Sequence, residues 1–103
     1  MTKKSLRPKI NGPYLIGIDI GTFSSKGVII NINGDVLAEQ YVEHGVNIIR
    51  PGWVEQDPEK CYWKDFKFII KSLIKKSKID PGEILGIGMS SLSPVLIPIN
   101  SKG

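Results

Sequence analysis

Between Tyr14 and Val42 the chain sets short apolar runs between turns too closely spaced to admit a helix, and this spacing limits the fold more than any other feature. Tyr14 to Ile20 (YLIGIDI) is fenced by Gly12-Pro13 and Gly21-Thr22. A run this short between turn residues reads as a buried strand. Lys26 to Ile32 (KGVIINI) is a second run, rich in the β-branched residues that suit a pleated surface. Asn33-Gly34 follows. That dipeptide accepts the positive φ angles of a two-residue hairpin. Val36 to Val42 alternates as a return strand. Three antiparallel strands are therefore expected before any helix.

Residues 44–57 (HGVNIIRPGWVEQD) read as an ordered loop with a turn at Pro51-Gly52. His44 is expected to be a loop residue, and Trp53 and Val54 to pin the loop on the core. Asp57 has the character of a helix N-cap, with Pro58 in the first position and Glu59 in the first turn. The spacing predicts a helix from Pro58 to Lys78, burying Tyr62, Phe66, Ile69, Ile70 and Leu73, with Trp63 and Ile74 widening the face. Asp80-Pro81-Gly82 should end it. Ile84 to Met89 reads as a fourth strand and Val95 to Ile99 as a fifth, with Asn100 to Gly103 as a further turn. The order β-β-β-α-β-β permits a crossover that lays strand four parallel to strand one. The expected class is α/β, a mixed sheet with a helix on one face.

The 41% apolar content suits a globular chain. No apolar run reaches the roughly 18 residues of a membrane span. Asp19 and Gly21 interrupt the only segment placed like a signal sequence, so a cytoplasmic setting is expected. The net charge of +4 lies in the first residues: Lys3, Lys4, Arg7 and Lys9 leave ten Lys and Arg against ten Asp and Glu elsewhere. Residues 1–12 are expected to form a basic flexible tail, and residues 13–103 the folded unit. No basic or aromatic patch in the body continues the tail, so neither nucleic acid nor membrane is expected as a partner. Cys61, the only cysteine, excludes an internal disulfide and is expected to be a small core-facing residue.

The chemistry concentrates in GIDIGTFSSKG, residues 17–27. A dinucleotide fingerprint or a Walker A loop would open a helix, whereas a strand follows here. What remains is a hairpin whose turn can hold a phosphate. Gly21 lets backbone approach an anion, Thr22, Ser24 and Ser25 offer hydroxyls, and Lys26 offers a fixed positive charge. Asp19 at the strand end suits Mg²⁺, which takes one or two carboxylates with water and phosphate oxygens. The competing reading is a polar turn whose aspartate bonds local N–H groups.

YLIGIDIGTFSSKGVIINING-DVLAEQ, RPGWVEQDPEKCYW and IDPGEILGIGMSSLSPVLIPINSKG, in that order, closely resemble the N-terminal segment of the FGGY family of carbohydrate kinases. The resemblance covers residues 14–103. It implies a ribonuclease-H-like (actin-like ATPase) fold, one of two such domains with the active site between them, and transfer of the γ-phosphoryl of ATP to a sugar or polyol hydroxyl. By motif, Asp19 would be the magnesium-associated aspartate, and Gly21, Thr22, Ser24, Ser25 and Lys26 the first phosphate loop. Phe23 departs from the family's Thr or Ser. Where xylulokinase-like members carry Gly-Gln-Met-His-Gly and glycerol kinases Asn-Gln-Arg-Glu, this chain has Ser91-Leu92-Ser93-Pro94-Val95. Ser91 and Ser93, with Trp53 from PGWVEQDP, are the substrate candidates.

The family's catalytic base and adenine site lie beyond the matched segment. The chain is therefore expected to be a partial kinase, inactive alone, whose partners are the sugar or polyol and the remainder of the kinase. Apolar edges at 95–99 should promote self-association. Two alternatives are a non-catalytic binding module and a ribonuclease-H-like nuclease. The nuclease would need converging carboxylates, for which the helix offers Glu59 and Asp65.

Overall fold

The computed structural model describes residues 12–103. The basic segment expected as a tail therefore lies, but for Gly12, outside the described residues. Strand β1 (Tyr14–Ile20) is the centre of a four-stranded sheet ordered β3-β2-β1-β6. It pairs antiparallel with β2 (Ser24–Asn31) and parallel with β6 (Ile84–Ser91), while β3 (Val36–Glu43) closes the other edge. This is the expected mixed sheet, made possible by the helical crossover between β3 and β6.

The alternation of β1 divides its residues cleanly. Tyr14, Ile16, Ile18 and Ile20 are buried, and with Ile29 of β2 and Ile69 and Leu73 of the helix they form the core. Leu15 and Asp19 point to the open face. The helix enters through Asp57, whose carboxylate accepts from the N–H groups of Glu59 and Lys60 at 2.9 and 3.2 Å. Its first stretch, Pro58–Trp63, is wound as a π-helix, and Lys64–Ser77 (α1) continues it as an α-helix. The helix stops at Lys78, in the left-handed region at φ 58°, two residues before the expected Asp80-Pro81-Gly82. Asp80 instead caps the short 3₁₀ turn Pro81–Glu83 that leads into β6, accepting from Gly82 N–H at 2.9 Å.

Several local expectations are corrected. The second strand begins at Ser24, so Ser25 sits inside the sheet. The β2–β3 connection is not a two-residue hairpin, because only Gly34 has positive φ (90°). Gly34 N–H bonds Asn31 C=O, and the Asn31 side chain accepts from Asn33 and Asp35 N–H, giving the longer turn with a left-handed closing residue. The 44–57 segment contains a hairpin, β4 (Asn47–Arg50) with β5 (Trp53–Glu55). Trp53 and Val54 stay exposed and do not pin it on the core; the Arg50 guanidinium lies 3.8 Å over the Trp53 ring. Trp63, expected on the buried face, is half exposed and stacks on Phe66. Val95 to Ile99 forms no strand. Pro94 and Pro98 remove two ladder donors from the segment, and β6 keeps an unpaired edge.

Candidate functional site

The pleat of β1 and β2 separates two polar clusters. On the open face, the antiparallel register sets Asp19 against Lys26, and the parallel register sets Asp19 against Ser90. Ser90 Oγ donates to Asp19 Oδ1 at 2.7 Å. Sequence reasoning assigned Ser90 no role; only the β1–β6 register reveals it. These three residues border an open groove of about 560 Å³ floored in part by Gly17 and Gly88. Without side chains there, a ligand can approach the backbone closely. At the end of the groove the chain turns tightly, Gly21 N–H bonding Ser24 C=O at 2.8 Å. Thr22 and Phe23 are exposed at the tip, and Ser24 is half-buried. One carboxylate beside a lysine and a polar turn fits Mg²⁺ held mainly by water and phosphate oxygens. Among the described residues no group of three or more His, Cys, Asp or Glu side chains converges as a metal cage.

The second cluster lies on the helix face. Ser25 is fully buried, and its hydroxyl donates to Asp65 Oδ2 at 2.7 Å. Its side chain therefore points away from the groove, apart from the Thr22, Ser24 and Lys26 grouping made from sequence. His44, whose side chain is 5% exposed, donates from Nδ1 to the same Asp65 oxygen at 2.7 Å. His44 Nε2 donates to Gly21 C=O at 2.9 Å and Thr22 C=O at 3.1 Å. A carboxylate and two carbonyls only accept, so each ring nitrogen acts as a donor. Gln56 Nε2 also donates to Thr22 C=O at 2.7 Å, and Gln56 Oε1 accepts from the Tyr62 hydroxyl at 2.8 Å. Burial, and secondarily Cys61, pushes the Tyr62 phenol above its ordinary value. The Ser25–His44–Asp65 set is not a nucleophilic triad. Serine and aspartate share the Nδ1 side of the ring, and the hydroxyl has no access to substrate.

From the sequence alone His44 is a plain loop residue and Asp65 a helix acid available for metal. Asp65 precedes the buried Ile69 and Leu73 at four-residue intervals, which placed it on the core-facing stripe. With Asp65 bonded in the core and Glu59 exposed, the carboxylates a nuclease would need do not converge.

The substrate candidates are not gathered in one recess. Ser91 ends β6 and borders a small apolar recess with Ile20, Tyr62 and Leu92. Ser93 and Trp53 are exposed and border neither that recess nor the larger groove of about 540 Å³ between the β4–β5 hairpin and residues 92–98. The polar side chains of that larger groove are Thr22, Glu55 and Gln56, with the Tyr62 ring beside them. Glu55 had no sequence-level assignment.

The mixed sheet, with its acid at the end of the central strand and its crossover helix, defines a partial domain of the ribonuclease-H-like, actin-like ATPase class. The chain superposes on xylulose kinase from Rhodospirillum rubrum with a TM-score of 0.77 at 23% identity, covering 87% of this chain and 18% of that one. The profile of the FGGY family of carbohydrate kinases, N-terminal domain, matches residues 14–102, and the chain belongs to that family. It is 34% identical over 77 residues to a glycerol kinase of Trichormus variabilis, and 37% identical over 78 residues to one of Leptospira biflexa. These matches cover 75% and 76% of the chain. Gluconate kinase from Lactobacillus acidophilus aligns at 36% identity and a TM-score of 0.67 over 76% of this chain and 15% of that one. The chain spans only 15% and 16% of the length of the two glycerol kinases. Among the described residues no helix is long and apolar enough to cross a membrane.

Proposed function

We propose that this chain is the N-terminal part of an ATP-dependent sugar or polyol kinase, with residues 13–103 forming part of its first domain. The observation that carries the reading is the register that sets Lys26 against Asp19 beside the Gly21–Ser24 turn. In this reading Gly21, Thr22, Ser24 and Lys26 hold the phosphates of ATP, and Ser25, buried against Asp65, stands apart from them. Asp19, oriented by Ser90, holds Mg²⁺. Held by Asp19, Mg²⁺ would supply charge neutralisation, and Lys26 would add its own fixed positive charge beside the transferring phosphoryl group, which is most of what such catalysis requires. Trp53, Ser91 and Ser93 remain candidates for the acceptor side. The setting is cytoplasmic, where ATP-dependent sugar phosphorylation takes place.

The test is ADP release by the full polypeptide carrying this chain, with ketoses, aldonates and polyols as acceptors. Asp19→Asn and Lys26→Ala should each lower kcat/KM about 100-fold, the scale of one lost transition-state electrostatic contact. A full polypeptide that turns over no acceptor overturns the kinase reading. Phosphorylation by the 103-residue chain alone overturns its incompleteness. A non-catalytic module is the second reading, favoured by Phe23, which puts an exposed ring at the tip of the turn. Such a module would bind magnesium pyrophosphate without turnover in the full polypeptide.

A further inference from the structure

We infer that His44 is a positioning residue for the phosphate turn, set in place by Asp65 and Ser25 and acting with Gln56; the inference rests on the phosphate-turn reading above. Three consecutive carbonyls of the turn are tied to one side. Gly21 C=O accepts from His44 Nε2, Thr22 C=O from His44 Nε2 and Gln56 Nε2, and Phe23 C=O from the His44 backbone N–H at 2.9 Å. In a planar trans peptide the N–H points opposite to its C=O. Anchoring these carbonyls therefore aims the N–H groups of Thr22, Phe23 and Ser24 away from His44 and Gln56. Successive N–H groups aimed together form an anion-binding concavity. The turn also has no side chain of its own that fixes this orientation, since Thr22 and Phe23 are exposed.

The anchor is rigid because it is rooted in the core. Asp65 stands one helical turn before the buried Ile69, and its side-chain partners Ser25 and His44 meet the same oxygen. Asp65 is the one titratable group hydrogen-bonded to the imidazole among the described residues; Ser25, Gln56 and the turn carbonyls are neutral. Loss of the ring's donors frees the turn without emptying the groove of Asp19 or Lys26.

The experiment is NMR on the isotope-labelled chain, in which His44 is the only histidine. The wild type should show a through-hydrogen-bond coupling from His44 Nε2–H to the Gly21 or Thr22 carbonyl carbon. Its Thr22 and Phe23 amides should have the order parameter of rigid backbone, about 0.85, falling below about 0.6 in His44→Phe. Magnesium pyrophosphate, used as the probe, should shift the Thr22 to Ser24 amides and bind His44→Phe about tenfold more weakly, the worth of one net hydrogen bond. If His44→Phe loses the dispersed signals of Ile16 and Ile29, Asp65→Asn takes its place, with the same direction and a smaller change. Turn amides that stay rigid in a folded variant, or a wild type without the coupling, overturn the positioning role. If pyrophosphate shifts nothing in the wild type while the order parameters fall as expected, the phosphate reading fails and the positioning of the turn stands.

Discussion

Gly27→Ala tests how closely α1 must approach the sheet. A Cβ built on Gly27 would run into Ile69 Cγ2, and would meet Leu73 Cδ1 at 3.2 Å and Gly17 C=O at 3.3 Å. Ile69 and Leu73 are both fully buried, so neither has an empty rotamer to move into. The Gly17 carbonyl is backbone of the central strand. The methyl can be accommodated only by lifting α1 off β2, an overpacking that costs about 1–3 kcal/mol. Alanine recovers about 0.4–1 kcal/mol by restricting the unfolded chain. The two ranges leave a net loss centred on about 1.3 kcal/mol, or roughly 5–10 °C in Tm for a domain of this size. The same lift lengthens the 2.7 Å Ser25–Asp65 bond, so calorimetry should be joined to the order parameters of the turn. Gly17→Ala is the matched control. Its Cβ faces the open side and meets only Val28 Cγ2, at an ordinary 3.7 Å. It should be neutral or raise stability by about 0.4–1 kcal/mol. A Gly27→Ala variant melting within about 2 °C of the parent, where 1 kcal/mol is worth about 4–8 °C, would refute the close-approach argument.

Asp57→Ala removes the acceptor for two N–H groups of the first helical turn and should cost about 1 kcal/mol, read by urea unfolding; an unchanged midpoint would show the cap to be redundant. Burial, then Glu83 and Asp80, pushes the Tyr14 phenol above its ordinary value. The folded state thus holds this proton more tightly than the unfolded state, so the stability is intact below about pH 10 and is lost as pH rises through the folded value. Tyr62 adds a loss of the same sign. Thermal melts taken across that range should fall together with tyrosinate absorbance, and flat melts would contradict the assignment. Leu85, Leu96 and Ile99 are exposed by 70%, 90% and 72%, so the 103-residue chain should gain mass with concentration in light scattering. A monodisperse monomer at high concentration would count against this.

The strands of the sheet were legible because short apolar runs between turn residues leave few other solutions, and the helix was legible through its cap and its i, i+4 stripe. The parallel placement of β6 followed from the crossover. The elements that were not legible have separate causes. Val95 to Ile99 has strand composition, but Pro94 and Pro98 lack the N–H a ladder needs, and the segment stays off the free edge of β6. The π-wound first stretch of the helix left no mark in residue spacing. The β4–β5 hairpin was hidden because its alternation spans too few residues to stand out from a loop.

Dependence on neighbouring elements governs the site. Two adjacent serines, Ser24 and Ser25, look equivalent as hydroxyl donors beside a turn. Once β2 begins at Ser24, pleat parity separates them. Ser24 and Lys26 fall on one side; Ser25, Gly27 and Ile29 fall on the side that meets the helix. Three residues on that side serve the approach of α1: Gly27 by having no side chain, Ile29 by filling the core, and Ser25 by bonding Asp65. Asp65 then orients His44, which returns to the very turn from which Ser25 was set apart. The buried serine thus bears on the Gly21–Ser24 turn through the helix face instead of the groove. One strand can serve both purposes because its two-residue period keeps the groove residues off the packing face. A substitution on the packing face should therefore be felt at the turn even where it leaves Asp19 and Lys26 untouched.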